Sequence, residues 1–350
     1  MGQATPGLRA IMNSTPMTEP EHQGYENHTN QTTVPPEMCR DVPCIFYAVV
    51  NVIIFILGVA GNGLVIWIAG FKVKKSVNAI WYLSLAVSDF LFCSTLPLGI
   101  VDVVKNDWIF GLFMCKLIFF NMYLNWFSSI FLLVIISVDR CVVVMFPVWA
   151  QNKRTVRKAS VIVMLAWVIS AALSLPSAFY LVVKYDDHNM TTICDRNYKS
   201  DQEKTVDVVC KFIFGFLIPY LIIIICYFVI IRKLKSNQMA TSKKPFKIMT
   251  VLIITFLICW LPYNTFALME LDYEKYKSFH LSGLTVVVVL ANANSCLNPF
   301  LYAFMGKDFK DQCYALLSKI ENAIAEDGDQ YKVRGTVLTT SGESKLSTTV

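Results

Sequence analysis

Polar and ionisable side chains recur where this chain is otherwise apolar, and their spacing limits the chemistry open to them. Asp89 stands in the run Leu85-Ala86-Val87-Ser88-Asp89, and the surrounding apolar stretch 77–101 holds no Lys or Arg to neutralise it. Asn121, Asn125 and Ser128 fall at i, i+4 and i+7, one face of a helix, with Ser129 beside them. Ser295, Asn298 and Tyr302 form a similar stripe, and Asn62 is a further amide in an apolar setting. Two readings fit such a set. The side chains could bond helix to helix, as membrane bundles do routinely. Alternatively, a carboxylate with hydroxyl and amide oxygens suits a hard cation such as sodium. Spacing alone leaves both open. An enzyme is not expected, because His22, His28, His188 and His280 all fall between apolar stretches without a catalytic partner or metal-binding cluster.

The elements that carry these groups read as membrane spans. The chain has 350 residues, 55% hydrophobic and 16% charged, with a mean hydropathy of +0.51; a soluble domain carries about 25% charged residues. Apolar stretches at roughly 44–70, 77–101, 112–138, 159–183, 206–231, 245–269 and 281–305 can each cross a bilayer as a helix. The expected fold is therefore all-α and integral to the membrane, a bundle of seven transmembrane helices. Prolines at 97, 176, 219, 262 and 299 lie inside these stretches and each frees a carbonyl, which suits kinked helices able to switch shape. A transporter would show internal repeats, and the seven stretches share none.

Charge orients the bundle. The connections 71–78, 141–158 and 232–247 carry three, four and six Lys/Arg and no acid, whereas the opposite segments hold fifteen acids against nine bases. The positive-inside bias places the first set in the cytoplasm and the N-terminus outside. Residues 1–43 hold no apolar core, so no cleavable signal peptide is expected there. Sequons at Asn13, Asn27, Asn30 and Asn189 all fall on the outer side, as glycosylation requires. The expected organisation is an outer glycosylated tail over 1–43 and a seven-helix domain over 44–305. An amphipathic eighth helix over 306–320 and a disordered cytoplasmic tail over 321–350 complete it. The partner expected from this layout is a bilayer, and no nucleic acid.

Several short motifs, in order and each on the appropriate stretch, resemble the rhodopsin-like receptors that couple to G proteins: Gly61-Asn62, Leu85-Ala86-Val87-Ser88-Asp89, Asp139-Arg140-Cys141, Cys259-Trp260-Leu261-Pro262 and Asn298-Pro299-Phe300-Leu301-Tyr302. The resemblance covers about residues 44–320. It implies that Asp89, Ser129, Asn294 and Asn298 line a pocket for an allosteric sodium ion, which raises the cation reading above the glue; no other cofactor is implied. It implies that Asp139 and Arg140 form the resting pair whose arginine engages the G protein. Trp260 and Pro262 would form a toggle under the ligand, and Tyr227, Asn298, Pro299 and Tyr302 the rest of the switch. It also implies a disulfide between Cys115 and Cys194. Cys39 and Cys44 lie outside or at the interface, and local pairing between them stays open. Cys313, on the amphipathic segment, is a palmitoylation candidate, and the Ser/Thr-rich tail is a candidate for phosphorylation and arrestin recruitment.

Within that family the chain is most similar to the chemoattractant receptors. Trp108-Ile109-Phe110-Gly111 and Thr95-Leu96-Pro97 resemble features of chemokine and chemoattractant receptors. The second cytoplasmic loop, from Asp139-Arg140-Cys141 through the run Pro147 to Asn152, resembles the formyl peptide and chemerin receptors, in a group that also holds the complement anaphylatoxin receptors. Met122 stands where amine receptors place an aspartate, and Asn292 where opsins place the retinal lysine. The expected agonist is therefore an extracellular peptide or small protein, with inhibitory-type G-protein signalling; a lipid mediator and a non-signalling decoy are the alternatives. The pocket departs from the group: Tyr123, Asp207 and Lys211 replace an aspartate and two arginines of formyl peptide receptors. Leu181 replaces an arginine that complement and chemerin receptors offer to a peptide carboxylate. Lys211 is the expected carboxylate contact, and Tyr123, Asn121, Trp108, Glu270 and Lys184 are the further candidate ligand contacts.

Overall fold

The computed structural model describes residues 41–72, 75–186, 190–236, 244–305 and 311; at 234, 236, 244–249, 273–282 and 301–305 it describes the backbone alone. The contacts that follow all lie within residues 41–301. Seven helical segments are long and apolar enough to cross a bilayer, so the fold is the expected seven-helix membrane bundle.

Helix α1 spans Val42–Trp67 and ends in a π-helical turn, Ile68–Lys72. Helix α2 spans Val77–Lys105, started by Ser76, whose hydroxyl accepts from the Ala79 amide at 3.2 Å. It stops at Asn106, which takes a left-handed conformation with φ 55°. Helix α3, Gly111–Met145, is the longest at 35 residues. A short helix α4, Pro147–Lys153, follows, with proline at its first turn, where a missing N–H costs nothing. Helix α5 spans Val156–Phe179 and is capped by Thr155. It ends four residues before the sequence estimate, because Leu181, Val182 and Val183 enter a strand instead. A short apolar run reads the same in either state.

Strands β1, Leu181–Asp186, and β2, Thr191–Arg196, form an antiparallel hairpin whose register sets Leu181 opposite Arg196 and Val183 opposite Cys194. The fifth span combines α6, Asp201–Phe212, a π-helical turn over Ile213–Leu217, and α7, Ile218–Ser236. Pro219 donates no hydrogen bond to the carbonyl of Gly215, and the backbone widens there. Helix α8, Lys244–Met269, continues into a 3₁₀ turn, Glu270–Asp272, and α9 spans Tyr273–Met305. Pro97, Pro176, Pro262 and Pro299 lie inside helices.

The bundle is apolar outward and polar at its centre. Ile45, Val49, Val168, Ile225 and Phe228 are exposed, as lipid-facing side chains must be, whereas Asn62, Asp89, Ser128, Ser129 and Ser295 are at most 1% exposed.

Candidate functional site

The polar centre forms because four spans each contribute a short side chain. Asn125 of α3 donates to Asp89 at 2.9 Å and Asn298 of α9 donates to its other oxygen at 2.8 Å. Ser295 donates to Asn125 at 3.1 Å, and Asn62 of α1 donates to the Ser295 carbonyl at 2.8 Å. Ser88 and Ser128 share a hydrogen bond of 2.6 Å. Both amides offer N–H groups to the carboxylate. Among the described residues, two further buried oxygens on the same spans, Ser129 Oγ and Asn294 Oδ1, have no hydrogen-bond partner. A carboxylate with uncommitted hydroxyl and amide oxygens on neighbouring spans is the kind of donor set that suits sodium.

Above this layer lies an aromatic stack. Trp260 lies parallel to Trp126, ring centroids 5.2 Å apart at 11°, and is closed in by Phe256 at 5.9 Å and Tyr263 edge-on at 5.7 Å. Among the described residues neither indole N–H finds an acceptor. Trp126 carries no motif, and sequence reasoning passed over it; only the packing of α3 on α8 gives it a role.

On the side of Trp126 nearer the β1–β2 hairpin, a narrow cavity of about 30 Å³ is lined by Tyr123, Arg196, Asp207, Lys211, Tyr263 and Glu270 among others. Its charges are unevenly matched. Lys211 is ion-paired to Asp207 one turn away on α6 and lies over the Tyr123 ring, 4.3 Å from its centroid. Lys204 reaches Glu270 at 3.7 Å, tying α6 to the end of α8. Tyr198 donates to Asp207 at 2.7 Å; burial is the first cause that raises its phenol, and it remains a donor. Arg196 enters from β2. It is 8% exposed and donates to the Tyr123 hydroxyl. Its guanidinium sits 5.7 Å from the Phe119 centroid and 5.5 Å from that of Tyr123. Desolvation pulls its pKa down, but the Tyr123, Tyr198 and Tyr263 phenols and Asp207 outweigh it, and the group stays charged. Arg196 was not among the sequence candidates. The signal was its place two residues after Cys194, since a disulfide to α3 must drag that strand over the bundle.

Of the expected ligand contacts, the structure brings Tyr123, Lys211 and Glu270 into this cavity. Asn121 points elsewhere: it donates to the Leu91 carbonyl at 2.8 Å and to Thr95 at 3.2 Å, bonding α3 to α2. Trp108 donates its indole N–H to the Gly111 carbonyl at 2.8 Å and its backbone N–H to Thr192 at 2.7 Å, pinning the α2–α3 turn to the hairpin. Gly111 permits that turn with φ +72°. Trp108 also lines a second small cavity with Tyr47, Asp102 and Asn292. Lys184 is exposed on β1 and donates to Asn197 at 3.1 Å. The disulfide joins Cys115 to Cys194 with the Cα atoms 5.8 Å apart. Cys44 is disulfide-bonded too, with its partner outside the described residues. Cys39, Cys313, Asn13, Asn27, Asn30, Asn189 and the side chain of Tyr302 also lie outside them.

At the opposite end of α3, Asp139 lies 3.5 Å from Arg140 but is gripped from both sides by Arg154, Nε to Oδ1 at 2.7 Å and Nη2 to Oδ2 at 2.9 Å. Both arginines also donate to Asn78 of α2. Tyr227 shares a hydrogen bond of 2.7 Å with Thr250, linking α7 to α8.

A polar core beside an aromatic stack, with a charged cavity at the hairpin end and an arginine cluster at the C-terminal end of α3, sits in a bundle of membrane-crossing helices, and its family is that of the seven-transmembrane receptors. The comparisons then place the chain within it. The profile described as "7 transmembrane receptor (rhodopsin family)" matches residues 61–302. Chemerin-like receptor 1 of Homo sapiens is 44% identical over 301 residues, 81% of each chain. The C3a anaphylatoxin chemotactic receptor of Oncorhynchus mykiss is 39% identical over 92% of this chain and 90% of its own. N-formyl peptide receptor 2 of Gorilla gorilla gorilla is 37% identical over 90% of this chain and 93% of its own. This chain belongs to the rhodopsin family of seven-transmembrane receptors, in its chemoattractant group. It is a multi-pass membrane protein and not an enzyme.

Proposed function

We propose that the chain is a cell-surface receptor for an extracellular peptide or small-protein chemoattractant, and that it signals through an inhibitory-type heterotrimeric G protein. The carrying observation is the outer cavity, where Arg196, Lys211, Asp207 and Glu270 converge directly over the Trp126–Trp260 stack. A ligand bound there presses on the aromatic layer, and differential affinity for two packings of that layer drives the switch. Relatives named for chemerin, C3a and formyl peptides support a peptidic ligand. Tyr123, Lys211 and Glu270 take part in binding, while Asn121, Trp108 and Lys184 shape the surrounding frame.

The outer-facing N-terminus rests on the charge bias of the loops and on the Cys115–Cys194 bridge, which needs an oxidising compartment. Asp89, Ser129, Asn294 and Asn298 would hold sodium, which supplies a counter-charge that favours the resting packing. Asp139 and Arg140 form the coupling end, and Trp260, Pro262, Tyr227, Asn298, Pro299 and Tyr302 the switch between. Glycans at Asn13, Asn27, Asn30 and Asn189, a palmitoyl group at Cys313, and a phosphorylated tail that recruits arrestin complete the reading.

The test is inhibition of cAMP accumulation in cells expressing the chain. The panel is the C-terminal peptide of chemerin, formyl peptides and complement anaphylatoxins, each with and without pertussis toxin. One toxin-sensitive response supports ligand class and coupling together. Silence from a receptor present at the surface overturns the peptide assignment.

A further inference from the structure

The charges around the outer cavity can be paired off one by one. Lys211 is matched by Asp207, and Lys204 by Glu270. Arg196 is left over: among the described residues no carboxylate lies within ion-pair distance of its guanidinium, and its buried Nε finds no acceptor at all. Its contacts are one hydroxyl, from Tyr123, and the faces of two aromatic rings.

Asp207 acts on Arg196 from beyond ion-pair distance, and burying an ionised group with no counter-charge in contact carries a cost that most groups escape by changing protonation. Arginine cannot, because its guanidinium stays protonated throughout the accessible pH range. The side chain stands at the last position of β2, opposite the buried Leu181. Phe119 and Tyr123 flank its guanidinium, which lines the cavity with its Nε unused. A planar fork of donors with one arm unused suits a planar anion of two oxygens.

We infer that Arg196 is the anion anchor of the ligand site, and that it takes a carboxylate from the agonist. Lys211, turned to Asp207, instead tunes the field around it. This rests on the outer cavity being the agonist site, but it can be tested without any agonist. A free peptide C-terminus and the head of a fatty acid share this chemistry, so the experiment separates them.

Full-length receptor, purified in detergent, is followed by thermal denaturation with acetate or acetamide at matched ionic strength. Acetate is expected to raise Tm by about 2 °C, the scale of a ligand present at several times its Kd, and acetamide not at all. The rise is expected to vanish in Arg196→Gln, persist in Lys211→Gln, and shrink in Arg196→Lys, which keeps the charge but loses the fork. Equal shifts in wild type and Arg196→Gln, loss confined to Lys211→Gln, or no acetate-specific shift in wild type overturns the inference. Should Arg196→Gln fail to reach the membrane, the wild-type difference and the Arg196→Lys reduction carry the test, and an undiminished Arg196→Lys shift counts against it. The C-terminal peptide of chemerin, as acid and as amide, is then compared with decanoate. Whichever acid gives the larger Arg196-dependent rise names the source. Silence in the signalling panel with an Arg196-dependent acetate shift removes the peptide assignment and leaves the anion site standing.

Discussion

Arg154 holds Asp139 through two parallel hydrogen bonds of 2.7 and 2.9 Å, while Arg140, its neighbour in sequence, stands at 3.5 Å. The inner end of α3 is thus tied to the α4–α5 junction by a two-pronged clamp, the strong geometry for an arginine–carboxylate pair. Asn78 accepts from both arginines and joins α2 to the cluster. Asp139, Arg140, Arg154 and Asn78 form one network in which Arg154 takes the larger share of Asp139, and in the proposed reading that network is the resting lock.

Arg154→Ala should therefore release Asp139 and raise signalling in the absence of agonist. The clamp is partly exposed, so a loss of about 1–2 kcal/mol is the scale, enough to shift a resting equilibrium roughly tenfold. Basal cAMP inhibition in surface-matched cells checks this, and a basal level equal to wild type would rule out the lock.

Arg140→Ala should leave surface expression intact and abolish G-protein activation. Agonist-stimulated nucleotide exchange in membranes measures it. Retained exchange would move the coupling role to another residue of the cluster.

Asp89→Asn should abolish the effect of sodium on agonist affinity while leaving the receptor folded. The substitution keeps the shape that Asn125 and Asn298 contact but removes the charge a cation needs. Binding compared in sodium chloride and choline chloride reads the outcome, and an undiminished sodium effect in the variant counts against a cation at Asp89.

Trp126→Ala should cost about 3–5 kcal/mol, the range for emptying a large buried aromatic site, and should loosen Trp260, which loses its parallel partner. Trp126→Phe should recover most of the stability but less of the switching. Thermal denaturation and agonist potency separate the two effects: full potency in Trp126→Phe would reduce Trp126 to packing.

Cys194→Ser should free the hairpin and take Arg196 out of the cavity. The bridge closes a loop between residues 79 apart, worth about 4 kcal/mol in the chain-entropy account. Surface expression should fall, and any acetate-induced rise in Tm should go with it. A variant that keeps that rise would show that β2 is held by two other contacts to Thr192, whose carbonyl accepts from the Trp108 amide and whose N–H donates to Asp107 at 2.7 Å.

The seven spans were legible because a bilayer admits so few solutions: a long apolar run with no water to satisfy its backbone must be a helix. Asp89, Asn125 and Asn298 were legible for the same reason, since a polar group at that depth stands out against everything around it. The order of the motifs then pointed to the family before any coordinate did. What sequence could not reach were the pairings between charges at the water-facing ends, where a lysine or arginine is commonplace and its partner depends on how loops fold back. Arg196 and Arg154 both lie beyond the ends of membrane helices, unmarked by any periodicity. One reaches the cavity only because the Cys115–Cys194 bridge draws β2 across the bundle, and the other reaches Asp139 only because α4 turns the chain back toward α3. Helix identity is a local matter of hydrophobicity and length. Which charges are spent and which are left for a ligand is a matter of distance between segments far apart in the chain, and only the packed bundle settles it.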